Sequence, residues 1–253
     1  MRTVIPSVLL ALTIGSAHAE TARVAAASDL KFVLDELAAQ YRAAFPKADP
    51  LLISYGSSGN FYAQIQNGAP FTLYLSADSS YPAKLEQAGL TVRGTRRDYA
   101  IGRLVIWVPK NSPLDVARLG PRALSDPRVR KVAIANPEHA PYGAAALTLL
   151  DHHRIGKALK GKFVVGENIA QAAQYASTAA DAGILALSIV KAPAFEALGG
   201  TYWLAPLSHH LRLRQQMVIV RDGQNTRQFW GFLLSPAARE LFRKYGFVLP
   251  REQ

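Results

Sequence analysis

Apolar and polar positions along this chain alternate between short strand-like runs and longer helix-like segments. The run ARVAAAS predicts a strand that ends at Ser28, and residues 30–41 then carry apolar side chains at helical spacing. LLISY predicts a second strand, with a helix over residues 60–67. FTLYLSA predicts a third, followed by the helix YPAKLEQAG, which stops at Gly89. This order is typical of βαβ units, in which helices cover a parallel sheet.

A second set of the same kind begins at RLVIWVP. Its later elements are the strands KVAIA, KFVVG and AGILAL, helices over 141–153 and 169–178, and a short helix at APAFEAL. The strand QQMVIV and two helices that start at Thr226 and Pro236 complete the chain. If these return to the first set, the chain crosses twice between the two sets, near residues 100–103 and 210–215, and forms a hinge beside a cleft.

We therefore predict an α/β protein of two lobes, each a mostly parallel sheet flanked by helices. Residues 20–101 and 213–253 are assigned to the first lobe, and residues 102–212 to the second. The two crossings between them form the predicted hinge.

The first nineteen residues have the layout of a secretory signal peptide. Arg2 precedes an apolar stretch over residues 8–14, which is too short to span a bilayer, and the small-residue exit AHA predicts cleavage after Ala19. The chain contains no cysteine, which excludes disulfides and a lipid anchor at the cleavage point. An exported, unanchored protein that serves its own cell needs an outer boundary, so we expect a Gram-negative periplasm.

The formal net charge is +11, and removal of Arg2 with the signal peptide would leave +10. A basic balance suits an anionic partner. The basic residues are nevertheless scattered rather than grouped in runs, which favours a solvated basic surface. We expect no nucleic-acid partner, because nucleic acid is the least probable anion outside the cell.

Small polar residues stand where predicted strands end and helices begin. Ser28 ends the first strand, Ser57 and Ser58 follow the second, and Tyr142 and Asn168 stand at later helix starts. Open α/β sheets bind ligands at this edge, and the free N–H groups of a helix start attract anions. Several such starts around one cleft could hold a dianion without lysine or arginine. Taken singly, Ser28 and Asn168 are also ordinary N-caps.

The histidines do not predict a metal site. Adjacent residues on a helix point about 100° apart, so His152 and His153 do not share one face. His209 and His210 are expected at the surface near the hinge, with no third ligand at suitable spacing. His139 is interpreted as structural.

Other chemistry has weaker support in the sequence. There is no G-x-x-x-x-G-K-[ST] loop for a nucleotide. A serine hydrolase would need His139 as base with an acid behind it, and no G-x-S-x-G elbow is present. The aromatic pairs at 61–62 and 202–203 could stack on a sugar, but core packing is their commoner use.

Four segments together resemble a known family. AAASD, YGSSGNFYAQIQNGAPFTLYLSAD, NPEHAPYG and KYGFVLP are similar, in order, to the periplasmic molybdate-binding proteins of ABC importers. The resemblance spans essentially the whole chain after the signal peptide. It implies a type II periplasmic binding protein fold. It also implies that the protein is not an enzyme and needs no cofactor. Such a protein, expected to be a monomer, would carry molybdate or tungstate to a membrane permease.

The resemblance also implies which residues hold the oxyanion. Ser28 and Ser58 would each contribute a hydroxyl and an amide, and Tyr142 and Ile169 would contribute their amides. Some family members add a tyrosine hydroxyl from a later strand, where this chain has Ala186. The Tyr142 hydroxyl could replace that donor, or Tyr142 could serve through its amide alone.

Asp29 bears on the choice of anion. As an acid at the start of a helix it suits the helix dipole, and we expect it to point to solvent. If it faced the cleft, it could accept a proton and favour protonated phosphate. A donor-only site instead favours molybdate, tungstate or sulfate, because the O–H of hydrogen phosphate would lack an acceptor, at a cost of about 1–3 kcal/mol. Sulfate or phosphate binding is the alternative function, and an exported serine hydrolase the distant one.

Overall fold

The structure is a computed structural model that describes residues 21–250. The predicted signal peptide lies outside the described residues. In the described part of the chain, no helix combines the length and apolar character needed to cross a membrane.

Residues 21–250 form ten strands and ten α-helices, with short 3-10 turns between some of them. The strands are β1 (Ala22–Ala27), β2 (Leu51–Gly56), β3 (Leu73–Ser76), β4 (Arg97–Ile101), β5 (Leu104–Val108), β6 (Val132–Ala135), β7 (Phe163–Gly166), β8 (Ala182–Ala186), β9 (Thr201–Leu204) and β10 (Arg214–Ile219). The helices are α1 (Lys31–Ala44), α2 (Ser58–Gln66), α3 (Ser80–Gln87), α4 (Val116–Leu119), α5 (Pro141–His152), α6 (Ile169–Thr178), α7 (Leu187–Val190), α8 (Pro193–Glu196), α9 (Gln224–Phe232) and α10 (Pro236–Lys244).

The described strands form two five-stranded sheets with the same plan. The first has the order β2-β1-β3-β10-β4 and the second the order β7-β6-β8-β5-β9. In each sheet the first three strands are parallel. The fourth is antiparallel to both of its neighbours. The predicted fold class, two mostly parallel sheets flanked by helices, is confirmed. We call each sheet with its helices a lobe.

Two chain segments connect the sheets. Gly102 and Arg103 join β4 to β5, and residues 205–213 lead from β9 back to β10. The segments lie side by side, because the Gly102 amide donates to the Leu213 carbonyl oxygen at 2.8 Å. Both lie close to the crossings expected from the sequence. The boundaries of the lobes, at 101/102 and 212/213, remain a prediction.

The C-terminal helices pack on the first lobe. The Tyr41 hydroxyl of α1 donates to Asn225 Oδ1 of α9 at 2.7 Å. The Tyr41 ring lies 5.1 Å from that of Phe229. Beyond α10, the backbone of Val248 pairs with that of Ile101 at the end of β4.

Apolar side chains cover both faces of the first sheet. On one face, Leu30, Leu34 and Leu37 are fully buried with Leu73 and Leu75. On the other, a smaller cluster is made by Phe61, Ile65, Tyr74, Leu85, Ala25 and Val218. A parallel sheet covered in this way leaves the carboxyl ends of its strands as the open edge for a site.

The structure departs from the predicted elements at a few points. The strands β4 and β9 were not predicted, since β4 begins with two charged residues and β9 is an exposed edge strand. Helix α2 starts at Ser58 rather than at residue 60, because Ser57 is its N-cap and accepts the Asn60 amide at 3.3 Å.

Candidate functional site

Four helix starts meet at the carboxyl ends of strands from both sheets. The predicted contacts Ser28, Ser58, Tyr142 and Ile169 all line one small cavity. All four are buried. The other residues of the lining are Ala27, Asp29, Gly56, Ser57, Ala77, Ala140 and Pro141. The structure thus brings together predicted contacts that lie up to 141 positions apart in the chain.

Ser58 has a hydroxyl proton left to donate. Its Oγ accepts the amide of Ala77 at 3.0 Å, and its carbonyl oxygen accepts the Tyr74 hydroxyl at 2.7 Å. Since a hydroxyl is one donor and a double acceptor, the bond from Ala77 leaves the O–H free to serve a ligand. The Ser58 amide, as the first of α2, has no acceptor within the helix.

Ser28 is placed in the same way, but its partner belongs to the other lobe. Its Oγ accepts the Ala170 amide at 3.2 Å. The N-cap position of its own 3-10 turn is Ala27, which makes no side-chain cap, so the N-cap interpretation of Ser28 is wrong. Asn168 does cap, because its Oδ1 accepts the amides of Ala170 and Gln171 at 3.0 and 3.1 Å.

Tyr142 and Ile169 present the leading amides of their helices. The N-cap of α6, Asn168, accepts the two amides that follow Ile169, and the Ile169 N–H itself has no acceptor inside its helix. Pro141 has no N–H, which makes the Tyr142 amide the first of α5. Gly143 seats this helix start against β6, since a Cβ there would lie 2.3 Å from the Ala135 carbonyl oxygen.

Asp29 does not point to solvent, so that expectation was wrong. It is 1% exposed, because the turn at the start of α1 directs it into the space between the lobes. Its Oδ2 accepts the Tyr142 hydroxyl at 3.1 Å and the Gln215 side-chain amide at 2.5 Å. The Gln215 Oε1 accepts the Tyr99 hydroxyl at 2.7 Å, which fixes the orientation of the amide. Among the described residues, Asp29 Oδ1 has no hydrogen-bond partner.

The burial of this network changes its protonation. Desolvation raises the pKa of Asp29 from 3.8 to about 6, against the hydrogen bonds from Gln215 and Tyr142, which favour the carboxylate. Burial and the charge of Asp29 hold the pKa of Tyr142 well above its usual value. Tyr142 therefore keeps its proton and donates a hydrogen bond to Asp29. In this structure the Tyr142 hydroxyl is directed to Asp29 Oδ2.

The groups that could bind an anion in this cavity are neutral hydrogen-bond donors. The described residues of its lining include no lysine, arginine or histidine. Hydroxyls and helix-start amides can bind an anion through partial charges alone. The carboxylate of Asp29, where ionised, opposes that binding.

A second set of contacts joins the lobes across the mouth of the cavity. Ser57 Oγ lies 2.8 Å from His139 Nδ1, and the Gly59 amide donates to the His139 carbonyl oxygen at 2.8 Å. The Asn60 side-chain amide donates to Glu167 Oε1 at 2.5 Å. A Cβ on Gly59 would lie 2.7 Å from that carbonyl oxygen. The lobes are thus closed, and His139 is part of the contact between them.

Ser57, His139 and Glu167 also stand in the order of a serine–histidine–acid array. His139 Nε2 lies 3.5 Å from Glu167 Oε1. The Ser57 Oγ is already the N-cap acceptor for Asn60, and its side chain is buried under the closed cleft. Glu167 is 58% exposed and hydrogen-bonded to Asn60. Because the members come from opposite lobes, we interpret the array as a latch that forms on closure.

Comparison with known proteins places the fold and the cavity in context. The model of the family described as bacterial extracellular solute-binding protein matches residues 22–248. A molybdate-binding protein ModA from Azotobacter vinelandii is 36% identical over 238 residues, which cover 92% of each chain. Another, from Rhodobacter capsulatus, is 37% identical over 200 residues, covering 77% of this chain and 76% of the relative. The solved periplasmic molybdate-binding protein of Azotobacter vinelandii superposes with a TM-score of 0.83 at 34% identity, over 91% of this chain and all of that one.

Proposed function

The chain belongs to the bacterial extracellular solute-binding protein family, and we propose that it captures molybdate between its lobes and delivers it to an ABC importer. The observation that carries the proposal is the convergence of four helix starts on one buried cavity with no basic side chain in its described lining. The relatives named as molybdate-binding proteins support molybdate as the ligand. Tungstate, nearly equal to molybdate in size and charge, is expected to bind as well.

The proposed ligand contacts are the hydroxyls and amides of Ser28 and Ser58 and the amides of Tyr142 and Ile169. Each hydrogen bond to a charged oxygen contributes about 1.5–3 kcal/mol. On the order of six such bonds, less the costs of association, support binding in the micromolar to nanomolar range. The metal oxyanion is cargo, and the proposal needs no resident metal or cofactor.

In the proposed transport cycle, the closed arrangement of the lobes is what the permease recognises. Closure joins residues 57–60 to His139 and Glu167 and shuts the anion away from water. A permease could then recognise the two lobe surfaces in the relative position that only closure produces. The cycle would run in the periplasm, with the protein as a monomer.

The alternative ligands are other tetrahedral anions. Buried Asp29 favours an anion that brings its own proton, such as hydrogen phosphate, because the carboxylate could accept that O–H. Sulfate, like molybdate, brings no proton and would differ only in its fit to the cavity. A direct comparison of anions decides among these ligands.

A serine hydrolase remains the candidate from the enzyme class, and Ser57 with His139 is the pair it would use. The latch geometry disfavours it, since the Ser57 side chain is buried and its partners His139 and Glu167 come from the opposite lobe. We expect no turnover of ester substrates. Ester hydrolysis that disappears in His139→Ala would overturn this expectation.

Isothermal titration with molybdate, tungstate, sulfate and phosphate tests the proposal. Molybdate and tungstate should bind at one per chain with micromolar or tighter affinity, and sulfate and phosphate at least about tenfold more weakly, a difference of roughly 1.4 kcal/mol. A preference for sulfate or phosphate would contradict the choice of ligand. Absence of binding by all four anions would contradict the assignment of the cavity.

A further inference from the structure

Three histidines from two separate segments meet on the second lobe, away from the cleft. His152 ends α5, His153 follows it directly, and His209 ends a short 3-10 turn in the second crossing. One ring nitrogen from each lies within 4.8 Å of the others. His152 is exposed, and the other two are half-buried, so solvent reaches the cluster.

The arrangement differs from the one expected from the sequence. Adjacent helical positions diverge, but His153 lies past the last turn of α5, as its C-cap. The His209 ring contacts the rings of both His152 and His153. It stacks on that of His152 with centroids 4.2 Å apart and meets the His153 ring at 4.9 Å. The third ligand, which no spacing in the sequence predicts, is His209 of the second crossing between the sheets.

The His153–His209 pair of nitrogens has the spacing that a tetrahedral metal ion requires. Zn²⁺ with bonds of about 2.0–2.1 Å to histidine holds two ligand nitrogens about 3.3 Å apart. His153 Nε2 and His209 Nδ1 already lie 3.1 Å apart. We propose that His152, His153 and His209 form a site for a divalent transition metal of the Zn²⁺ class, with water as the fourth ligand.

Contacts outside the cluster hold the two histidine-bearing segments together without a metal. The Leu211 amide donates to Thr148 Oγ1 at 3.0 Å, which fastens the crossing to α5 independently of the histidines. Imidazole is a preferred ligand of zinc, copper and nickel, and exposed His152 leaves room for water to complete the coordination. Arg122 is the nearby positive charge that opposes a cation. We therefore expect affinity in the micromolar range.

The alternative is a simple hydrogen bond between two neutral imidazoles, His153 and His209. That pair would need no metal and would give no role to His152. Since the cluster shares no residue with the described lining of the anion cavity, its failure as a metal site would leave the proposed molybdate function untouched.

The test is a titration of purified protein, carrying no polyhistidine tag, with zinc chloride and with cobalt chloride. We expect one Zn²⁺ per chain and a Co²⁺ complex with the visible absorption of tetrahedral coordination. His153→Gln and His209→Gln should each weaken binding at least tenfold, and exposed His152→Gln should remove the tetrahedral Co²⁺ spectrum. His139→Gln is the matched control and should leave metal affinity unchanged.

Circular dichroism shows whether each variant is folded. If His209→Gln does not fold, His152→Gln still decides, because an exposed side chain at a helix end has little part in the core. Absence of saturable binding at one Zn²⁺ per chain would overturn the proposal. So would a Zn²⁺ affinity and Co²⁺ spectrum that survive His152→Gln and His209→Gln unchanged.

Discussion

Replacement of Asp29 by asparagine should change how the stability of the protein depends on pH. The folded state holds the Asp29 proton up to a pKa of about 6, whereas the usual pKa of an aspartate is 3.8. Between these values the folded protein binds a proton that the unfolded chain releases, so the free energy of unfolding falls as pH rises through the window. Asp29→Asn has no charge to bury and should not show this loss.

The shift of about two pH units corresponds to about 3 kcal/mol of lost stability once Asp29 is ionised. About 2 kcal/mol of this loss falls between pH 4.5 and 7.5, because part of the loss has already occurred at pH 4.5. The difference in stability between variant and wild type should therefore shift by that amount in favour of the variant. Comparing two pH values cancels any constant cost of placing an amide beside Gln215.

The assay is urea unfolding of both proteins, without ligand, at pH 4.5, 6.0 and 7.5. If unfolding is followed by heating instead of by urea, a change of about 2 kcal/mol corresponds to a relative rise in melting temperature of about 4–8 °C for a chain of this size. Asp151→Asn, which removes an exposed carboxylate, is the matched control and should show a much smaller trend. Parallel stability profiles for Asp29→Asn and wild type would refute the reasoning, and so would a difference that moves the other way.

Three further predictions concern closure and the buried network. Gly59→Ala should weaken molybdate binding by about 1–3 kcal/mol, because its Cβ would meet the His139 carbonyl oxygen at 2.7 Å and hold the lobes apart; titration calorimetry with small-angle scattering tests this, and unchanged affinity and shape would disprove it. Tyr142→Phe should destabilise the protein by about 1–3 kcal/mol, more at pH 8 than at pH 5, because it removes a donor to the Asp29 carboxylate; a loss independent of pH in urea unfolding argues against that role. Molybdate affinity should rise as pH falls from 8 to 6, by at most about tenfold per pH unit, because protonation of Asp29 removes a negative charge beside the anion; titrations at several pH values that show a fall instead, or the same rise in Asp29→Asn, contradict this.

Local pattern located the helix starts to within two residues, since α6 begins at Ile169 as predicted and α2 begins at Ser58 rather than at residue 60. Ser58 and Ile169 stand at the first positions of helices that follow strands, and both the helical period and the strand ends are visible in short windows of sequence. The same local logic failed at Asp29. An acid at a helix start ordinarily faces water, but here the first turn lies between two lobes, which no short window reveals.

The partners of Asp29 are distant in the chain. Tyr142 lies 113 residues away and Gln215 lies 186 residues away. A glutamine within the apolar run QQMVIV was the one local sign of a buried polar contact. The histidine cluster has the same origin, since His209 joins His153 across 56 residues through the path of the second crossing.

The most direct test of the central claim is the molybdate affinity of Ser58→Ala. If the hydroxyl that accepts the Ala77 amide donates its own proton to the anion, its removal should weaken binding by about 1–3 kcal/mol, which is about 5- to 150-fold. Ser177→Ala, which removes an exposed hydroxyl on α6, should bind as wild type does. Equal molybdate affinity in Ser58→Ala, Ser177→Ala and wild type would contradict the placement of the anion among these helix starts.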